Sequence, residues 1–145
     1  MKLTQFTDYA LRTLMYLATQ PEKRFTVKDI SESFNISYHH MVKVAHALSK
    51  QGYVKTTKGK GGGISLSKPA NEINLGGVVS ALEPDFDIAE CFSDNNQCHI
   101  TSICDLKHIL FDARNAFIRE LEKHSLANIV QNKQALWDLL QPRDN

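Results

Sequence analysis

At 145 residues the chain has room for one compact domain, or for a small head with a helical extension. Its 42% hydrophobic content is ordinary for a globular protein; no apolar run approaches the ~20 residues that span a bilayer, and no basic-then-apolar start is present, so the expected location is the cytoplasm, away from membrane. The net charge of +1 divides unevenly, with eleven Lys/Arg against four Asp/Glu in residues 1–71 and six against twelve in residues 72–145, which confines any polyanion-binding surface to the first half.

Residues 4–19 carry Phe6, Ala10, Leu11, Leu14, Met15, Leu17 and Ala18 mostly at helical spacing, with Thr4 or Thr7 as cap and Asp8 in or near the first turn. A second helix is expected after Thr26, a good N-cap, running through Asp29, Ile30 and Phe34. Asn35-Ile36-Ser37 reads as a tight turn, and Ser37 as the cap of a third helix that Gly52 stops after Gln51. Met41, Val44, Ala45 and Leu48 form the buried face of that helix, while His39, His40, Lys43, His46 and Lys50 lie opposite. Helix, short turn and a second helix with a basic outer face is the helix-turn-helix pattern, whose second helix enters the major groove.

The β-rich run Tyr53-Val54-Lys55-Thr56-Thr57 and the alternating Ile64-Ser65-Leu66-Ser67 flank a tip of Lys58-Gly59-Lys60-Gly61-Gly62-Gly63. Following a recognition helix, such a hairpin is a wing, with Lys58 and Lys60 in reach of phosphates or the minor groove. Between Glu32 and Glu72 there is no acidic residue, although six lysines fall there. A phosphate-cradling P-loop is excluded, because Gly59-Lys60 is followed by Gly61 and no glycine stands five positions before Gly59. The DNA-contacting set is therefore Ser37, Tyr38, His39, His40, Lys43, Lys58, Lys60 and Gly61, reading double-stranded operator DNA.

Beyond Pro69, a short helix is expected from Leu75 to Leu82, ending near Glu83-Pro84. Residues 84–102 are polar, acidic and irregular. From about Ser102 a long amphipathic helix carries Ile103, Leu106, Ile109, Leu110, Ala113, Phe117 and Leu121 near a heptad seam, whose expected partner is the same helix of a second subunit. Ser125 is read as the cap of one last short helix reaching Leu140. The fold class is mainly α with a small β-hairpin: a winged helix-turn-helix head at 1–70, a short helix and cysteine loop at 71–102, and a dimerisation helix with a C-terminal helix at 103–145.

The three cysteines follow Cys91-x6-Cys98-x5-Cys104. An odd number in a cytosolic chain is no disulfide framework. The spacing is wider than the knuckle of a structural zinc site and unlike the ferredoxin runs. A metal or cluster, burial, and a redox-active thiol pair all remain open on spacing alone, although a polar loop is a poor place to bury small hydrophobes. Three thiolates leave one coordination position for a carboxylate, imidazole, water or small molecule. That is the requirement of a sensor rather than of an electron carrier. No H-E-x-x-H, no G-x-S-x-G and no paired catalytic carboxylates are present, so no enzyme is expected.

The opening Met1-Lys2-Leu3-Thr4-Gln5-Phe6-Thr7-Asp8-Tyr9-Ala10-Leu11-Arg12, the segments His40-Met41-Val42-Lys43-Val44, Gly59-Lys60-Gly61-Gly62-Gly63-Ile64 and Leu82-Glu83-Pro84, and above all Cys98-His99-Ile100-Thr101-Ser102-Ile103-Cys104-Asp105-Leu106-Lys107 resemble the NsrR-type nitric-oxide-sensing repressors. These are a branch of a large family of winged-helix iron–sulfur regulators. The resemblance covers nearly the whole chain. It implies a homodimer bound to palindromic DNA, with a 4Fe–4S cluster on Cys91, Cys98 and Cys104 of each subunit and Asp8 of the partner subunit as fourth ligand. Without that role, Asp8 is a carboxylate favourable to a helix N-terminus. The resemblance further implies that nitric oxide destroys the cluster, DNA affinity drops, and detoxification genes are expressed. A sister branch regulating cluster assembly holds 2Fe–2S on three cysteines and a histidine three residues after the last; here position 107 is lysine and His108 lies one step late. A cluster-assembly type of iron–sulfur or thiol redox regulator, and a zinc-stabilised winged-helix module without nitric-oxide sensing, are the competing expectations. An electron-transfer protein is disfavoured by the missing fourth cysteine and the basic head.

Overall fold

The computed structural model describes residues 2–141; Met1 of the opening motif and the last four residues of the 103–145 segment lie outside the described residues. Helix α1 (Gln5–Thr19) begins where Thr4 Oγ1 accepts the Thr7 N–H, which settles the capping role on Thr4. Thr7 is instead fully buried. Helix α2 (Val27–Phe34) opens on a capping box in which Thr26 and Asp29 satisfy each other's backbone N–H. Asn35 then turns the chain through a left-handed conformation, φ +52°, into helix α3 (Tyr38–Lys50). Gly52, at φ +79°, ends α3 as expected, with Tyr53 N–H donating back to the Leu48 carbonyl at 2.9 Å.

Strands β1 (Val54–Thr57) and β2 (Gly63–Leu66) pair antiparallel, Val54 opposite Leu66 and Thr57 opposite Gly63. The sheet has a third, minimal member that periodicity does not reveal. Phe25, between α1 and α2, exchanges both backbone hydrogen bonds with Ile64, at 3.0 and 2.7 Å. The base of the wing is thereby fixed to the helical head.

Helix α4 (Leu75–Leu82) is capped by Asn74, whose side-chain oxygen accepts the Gly77 N–H at 2.9 Å and whose amide donates to the Glu122 carbonyl at 2.6 Å. Helix α5 (Asp105–Glu122) packs its C-terminal half on α4; Leu121 joins the core from the partly buried side. The seam read from the sequence is thus divided. Ile103, Leu106 and Ile109 are 81%, 60% and 64% exposed, whereas Leu121 is used inside the subunit.

The single terminal helix expected from Ser125 to Leu140 is two helices, α6 (Leu126–Ile129) and α7 (Lys133–Leu140). Asn132 breaks the run by accepting the Ala135 N–H at 3.1 Å, a cap that starts a second helix. Both return to the head. Leu126, Val130 and Leu140 belong to one contiguous core with Leu14, Leu17, Ile30, Val44 and Leu48. Trp137 meets Tyr16 and Phe25 edge-on or tilted, with ring centroids 5.7 and 5.6 Å apart. Fully burying each of these large aliphatic side chains contributes roughly 2 kcal/mol. No helix among the described residues is long and apolar enough to cross a membrane.

Candidate nucleic-acid interface and cysteine loop

Helix α3 owes its position to its inner face. Met41, Val44 and Leu48 are 0–1% exposed and fix the helix on α1 and α2, leaving the other side to solvent. Tyr38, His39, His40 and Lys43 are all exposed there, together with His46 and Lys50 one and two turns on. Ser37 stands at the N-cap, but its side chain makes no capping hydrogen bond. The reading of Ser37 as a side-chain cap is corrected to a cap position with a free hydroxyl. Its exposed location leaves the first-turn amides of α3 open to an external acceptor.

The wing tip carries Lys58 and Lys60 on the surface beside Gly61. Gly61 adopts φ +75°, which L side chains rarely enter, and a Cβ built there meets nothing within 4 Å. The requirement is conformational, and the space above the tip is open. Among the described residues, none of Lys43, Lys50, Lys55, Lys58 and Lys60 pairs with a carboxylate; the ion pairs present are Arg12–Asp8, Lys28–Glu32 and those of Glu120. Lys68 sits over the Tyr53 ring at 5.2 Å. This cationic surface lacks internal neutralisation, as a phosphate-binding surface requires.

All three cysteines are free and lie between α4 and α5, a connection that contains only short 3-10 turns. Cys91 is half-buried in the turn Glu90–Phe92, Cys98 is exposed, and Cys104 is half-buried at the N-terminus of α5. Glu90 Oε1 accepts the Gln97 N–H at 2.9 Å, drawing together the chain just ahead of Cys91 and of Cys98. Asn96 accepts the Cys98 N–H at 3.0 Å, and the Cys98 carbonyl accepts the Thr101 hydroxyl at 2.7 Å. Phe92 stacks beneath the Arg114 guanidinium, 5.1 Å from the ring centroid, which holds the Cys91 turn against α5. The thiols share one loop without converging: among the described residues no three His, Cys, Asp or Glu side chains form a metal-holding group.

Asp8 is apart from them, in the first turn of α1. Its Oδ2 pairs with Arg12 at 2.8 Å, both side chains 44% exposed. Arg12 in turn lies 5.9 Å from the ring centroids of Tyr9 and of Phe34, the last residue of α2. The donor set suits a thiophilic metal group: three unbridged thiols, each at least partly accessible and none in the core, with a carboxylate that an intrasubunit cation already balances.

One long-range contact between the cysteine loop and α1 has no local signature in the sequence. Glu83, at the end of α4 where the cysteine loop starts, accepts hydrogen bonds from the Thr4 N–H at 3.0 Å, the Thr4 hydroxyl at 3.1 Å and the Thr7 hydroxyl at 2.5 Å. It ties the root of the loop to the N-terminus of α1, the helix that bears Asp8. Separated by 76 to 79 residues, the partners leave no local pattern to read; only the motif Leu82-Glu83-Pro84 marks the place.

Residues 3–132 match the family model Rrf2, described as an iron-dependent transcriptional regulator. Over 146 aligned residues the chain is 43% identical to the HTH-type transcriptional regulator NsrR of Bacillus subtilis (strain 168), covering 99% of this chain and 100% of that protein. IscR of T. potens superposes with a TM-score of 0.73 at 20% identity, covering 100% of this chain and 94% of that one. CymR (YrzC), the global cysteine regulator of B. subtilis, does so with 0.72 at 20%, covering 90% and 97%. At this identity the two solved structures establish a common fold.

Proposed function

Because the chain belongs to the Rrf2 family of iron-dependent transcriptional regulators, we propose that it is a homodimeric repressor that reads palindromic operator DNA and releases it when nitric oxide attacks an iron–sulfur cluster, 4Fe–4S in the first instance. The observation that carries the reading is the union, on one chain, of an unneutralised cationic surface formed by α3 and the wing with three free thiols in a single polar loop. Transcriptional regulation itself, as opposed to catalysis, follows from the family.

In this reading, Tyr38, His39, His40 and Lys43 face base edges or phosphates in the major groove, with Ser37 and the open amides of α3 on a phosphate oxygen. Lys58, Lys60 and the Gly61 backbone approach the adjacent backbone or minor groove. The exposed face of Ile103, Leu106 and Ile109 is covered by the same helix of a second subunit, so the two reading helices stand about one DNA turn apart, roughly 34 Å.

Cys91, Cys98, Cys104 and Asp8 of the partner subunit would hold the cluster, which when bound supplies the iron that nitric oxide attacks. Asp8 then has two alternative partners, the metal group across the interface and Arg12 in its own helix. Released from Asp8, Arg12 is an unbalanced cation lying against Phe34, one residue before the Asn35 turn that aims α3. That chain of contacts, from Asp8 through Arg12 and Phe34, is the proposed route to the reading head.

The test is to prepare the protein without oxygen, record its visible spectrum and iron and sulfide content, and titrate a duplex recovered by selection from a random library, before and after nitric oxide. A brown protein with roughly four irons per chain, whose DNA complex dissociates on treatment, supports the reading; roughly two irons point to the 2Fe–2S type. A colourless protein holding zinc or nothing, with DNA binding indifferent to nitric oxide, overturns it. An Asp8→Ala protein with unaltered DNA affinity and an unaltered response would remove the proposed route.

A further inference from the structure

Helix α3 carries an anomaly on its outer face. Val42 is 40% exposed and Tyr38, one turn earlier, is 53% exposed, so an aliphatic and an aromatic side chain adjoin there at i and i+4. The residues around them, His39, Lys43 and His46, are polar or cationic and also exposed. Val42 is not in the core, whose α3 contribution comes from Met41, Val44, Ala45 and Leu48. Nor does helix stability account for it, since a β-branched residue on an exposed helix position is mildly unfavourable. No protein–protein docking surface fits well either. The patch is small, and it sits within a stretch from residue 33 to residue 71 that contains no acidic side chain, so what approaches it is a polyanion.

Within the major groove, three kinds of base-edge group are available: acceptors, donors and one hydrocarbon, the 5-methyl of thymine. Histidine and lysine side chains serve the first. Only the methyl group is matched by the isopropyl group of a valine in the first half of a reading helix, where base contacts concentrate. We propose that Val42 is a specificity residue that recognises a thymine 5-methyl group in each half-site, with Tyr38 forming the adjoining apolar wall. The inference rests on the DNA-reading surface set out above and deepens it: positive charge provides affinity for any duplex, and Val42 adds an apolar contact that discriminates among sequences.

Thymine and deoxyuridine pair identically and differ only in that methyl, so the test isolates the contact. Full-length protein, prepared without oxygen, first selects a duplex from a random library. Each thymine of that duplex is then replaced singly by deoxyuridine, and the dissociation constant is measured at fixed salt for the wild type and for Val42→Ala. Val42 is exposed, so the variant folds, and its circular dichroism checks that.

The expected result is one thymine per half-site at which deoxyuridine weakens the wild type about fourfold, the equivalent of one methyl group kept from water. At that position Val42→Ala is insensitive to the replacement, while its salt slope equals that of the wild type. A flat deoxyuridine scan, or a Val42→Ala protein with the same sensitivity as the wild type, overturns the assignment while leaving the DNA-reading surface intact. A wild type that recovers no duplex at all overturns both.

Discussion

Replacing Glu83 by alanine removes a side chain that joins the root of the cysteine loop to the start of α1. Three donors are left without their acceptor: the Thr4 N–H, the Thr4 hydroxyl and the fully buried Thr7 hydroxyl. A hydrogen bond to a charged acceptor contributes roughly 1.5–3 kcal/mol. The three are not independent, because Thr4 and Thr7 hydroxyls also bond each other at 3.1 Å and the Thr4 side chain retains the Thr7 N–H. A favourable negative charge at the helix N-terminus, about 0.5 kcal/mol, disappears as well. The net cost is about 3 kcal/mol, which for a chain of this size lowers Tm by about 9 °C. Glu83→Gln preserves one acceptor and removes the charge, so it should fall about halfway. The assay is thermal unfolding of reduced, metal-free protein at constant concentration, which holds the contribution of the proposed dimer fixed. A Thr7→Val, Glu83→Ala cycle should show coupling of about 1 kcal/mol. If Glu83→Ala melts within a degree of the wild type, the carboxylate is not the clamp described.

Lys60→Ala should weaken specific and random duplexes by a similar factor and lower the salt slope by about 0.9 for each phosphate that the ammonium group no longer neutralises; an unchanged slope would place the wing off the DNA. Leu106→Glu puts a charge in place of a side chain that is 60% exposed in one subunit; the expected outcome is a folded monomer by sedimentation velocity, and a persisting dimer would rule out this face as the interface. Burial pushes the Tyr16 phenol above its usual range near 10. Its folded-state value being raised, Tyr16 contributes stability that is complete below the unfolded value and fades as pH rises through the folded one. Tyr16→Phe, which keeps the ring against Phe25 and Trp137, should therefore lose less Tm between about pH 9 and 11, the span around the phenol's ordinary value, than the wild type; parallel curves would contradict the assignment.

Local pattern made most of the head legible. The Thr26 cap, the Asn35 turn, the split faces of α3 and the Gly52 stop are all short-range rules, and each appears in the fold as the residues imply. What escaped was long-range. Nothing about Phe25 announces a two-bond bridge to Ile64, nothing about Glu83 announces Thr4 and Thr7, and the heptad seam of α5 does not say that its Leu121 end packs inside the subunit. Asn132 was legible in principle, since asparagine is among the preferred N-cap residues. For the cysteine loop, the spacing identified the residues but left their chemistry open; shared membership of one loop is a weaker condition than convergence on one atom group.

Trp137 is the only tryptophan in the chain, and its ring neighbours are Tyr16 and Phe25, with the Lys23 ammonium 5.9 Å above it. None of these belongs to the cysteine loop. Emission excited at the red edge of the indole band therefore originates from a single spot, the seam where α7 closes on α1 and Phe25. The protein carries its own fluorophore in the helical head, and the proposed cluster on the thiols would absorb in the visible. Recording both on one sample would time the arrival of a signal at the head against the chemistry in the loop, with no label attached.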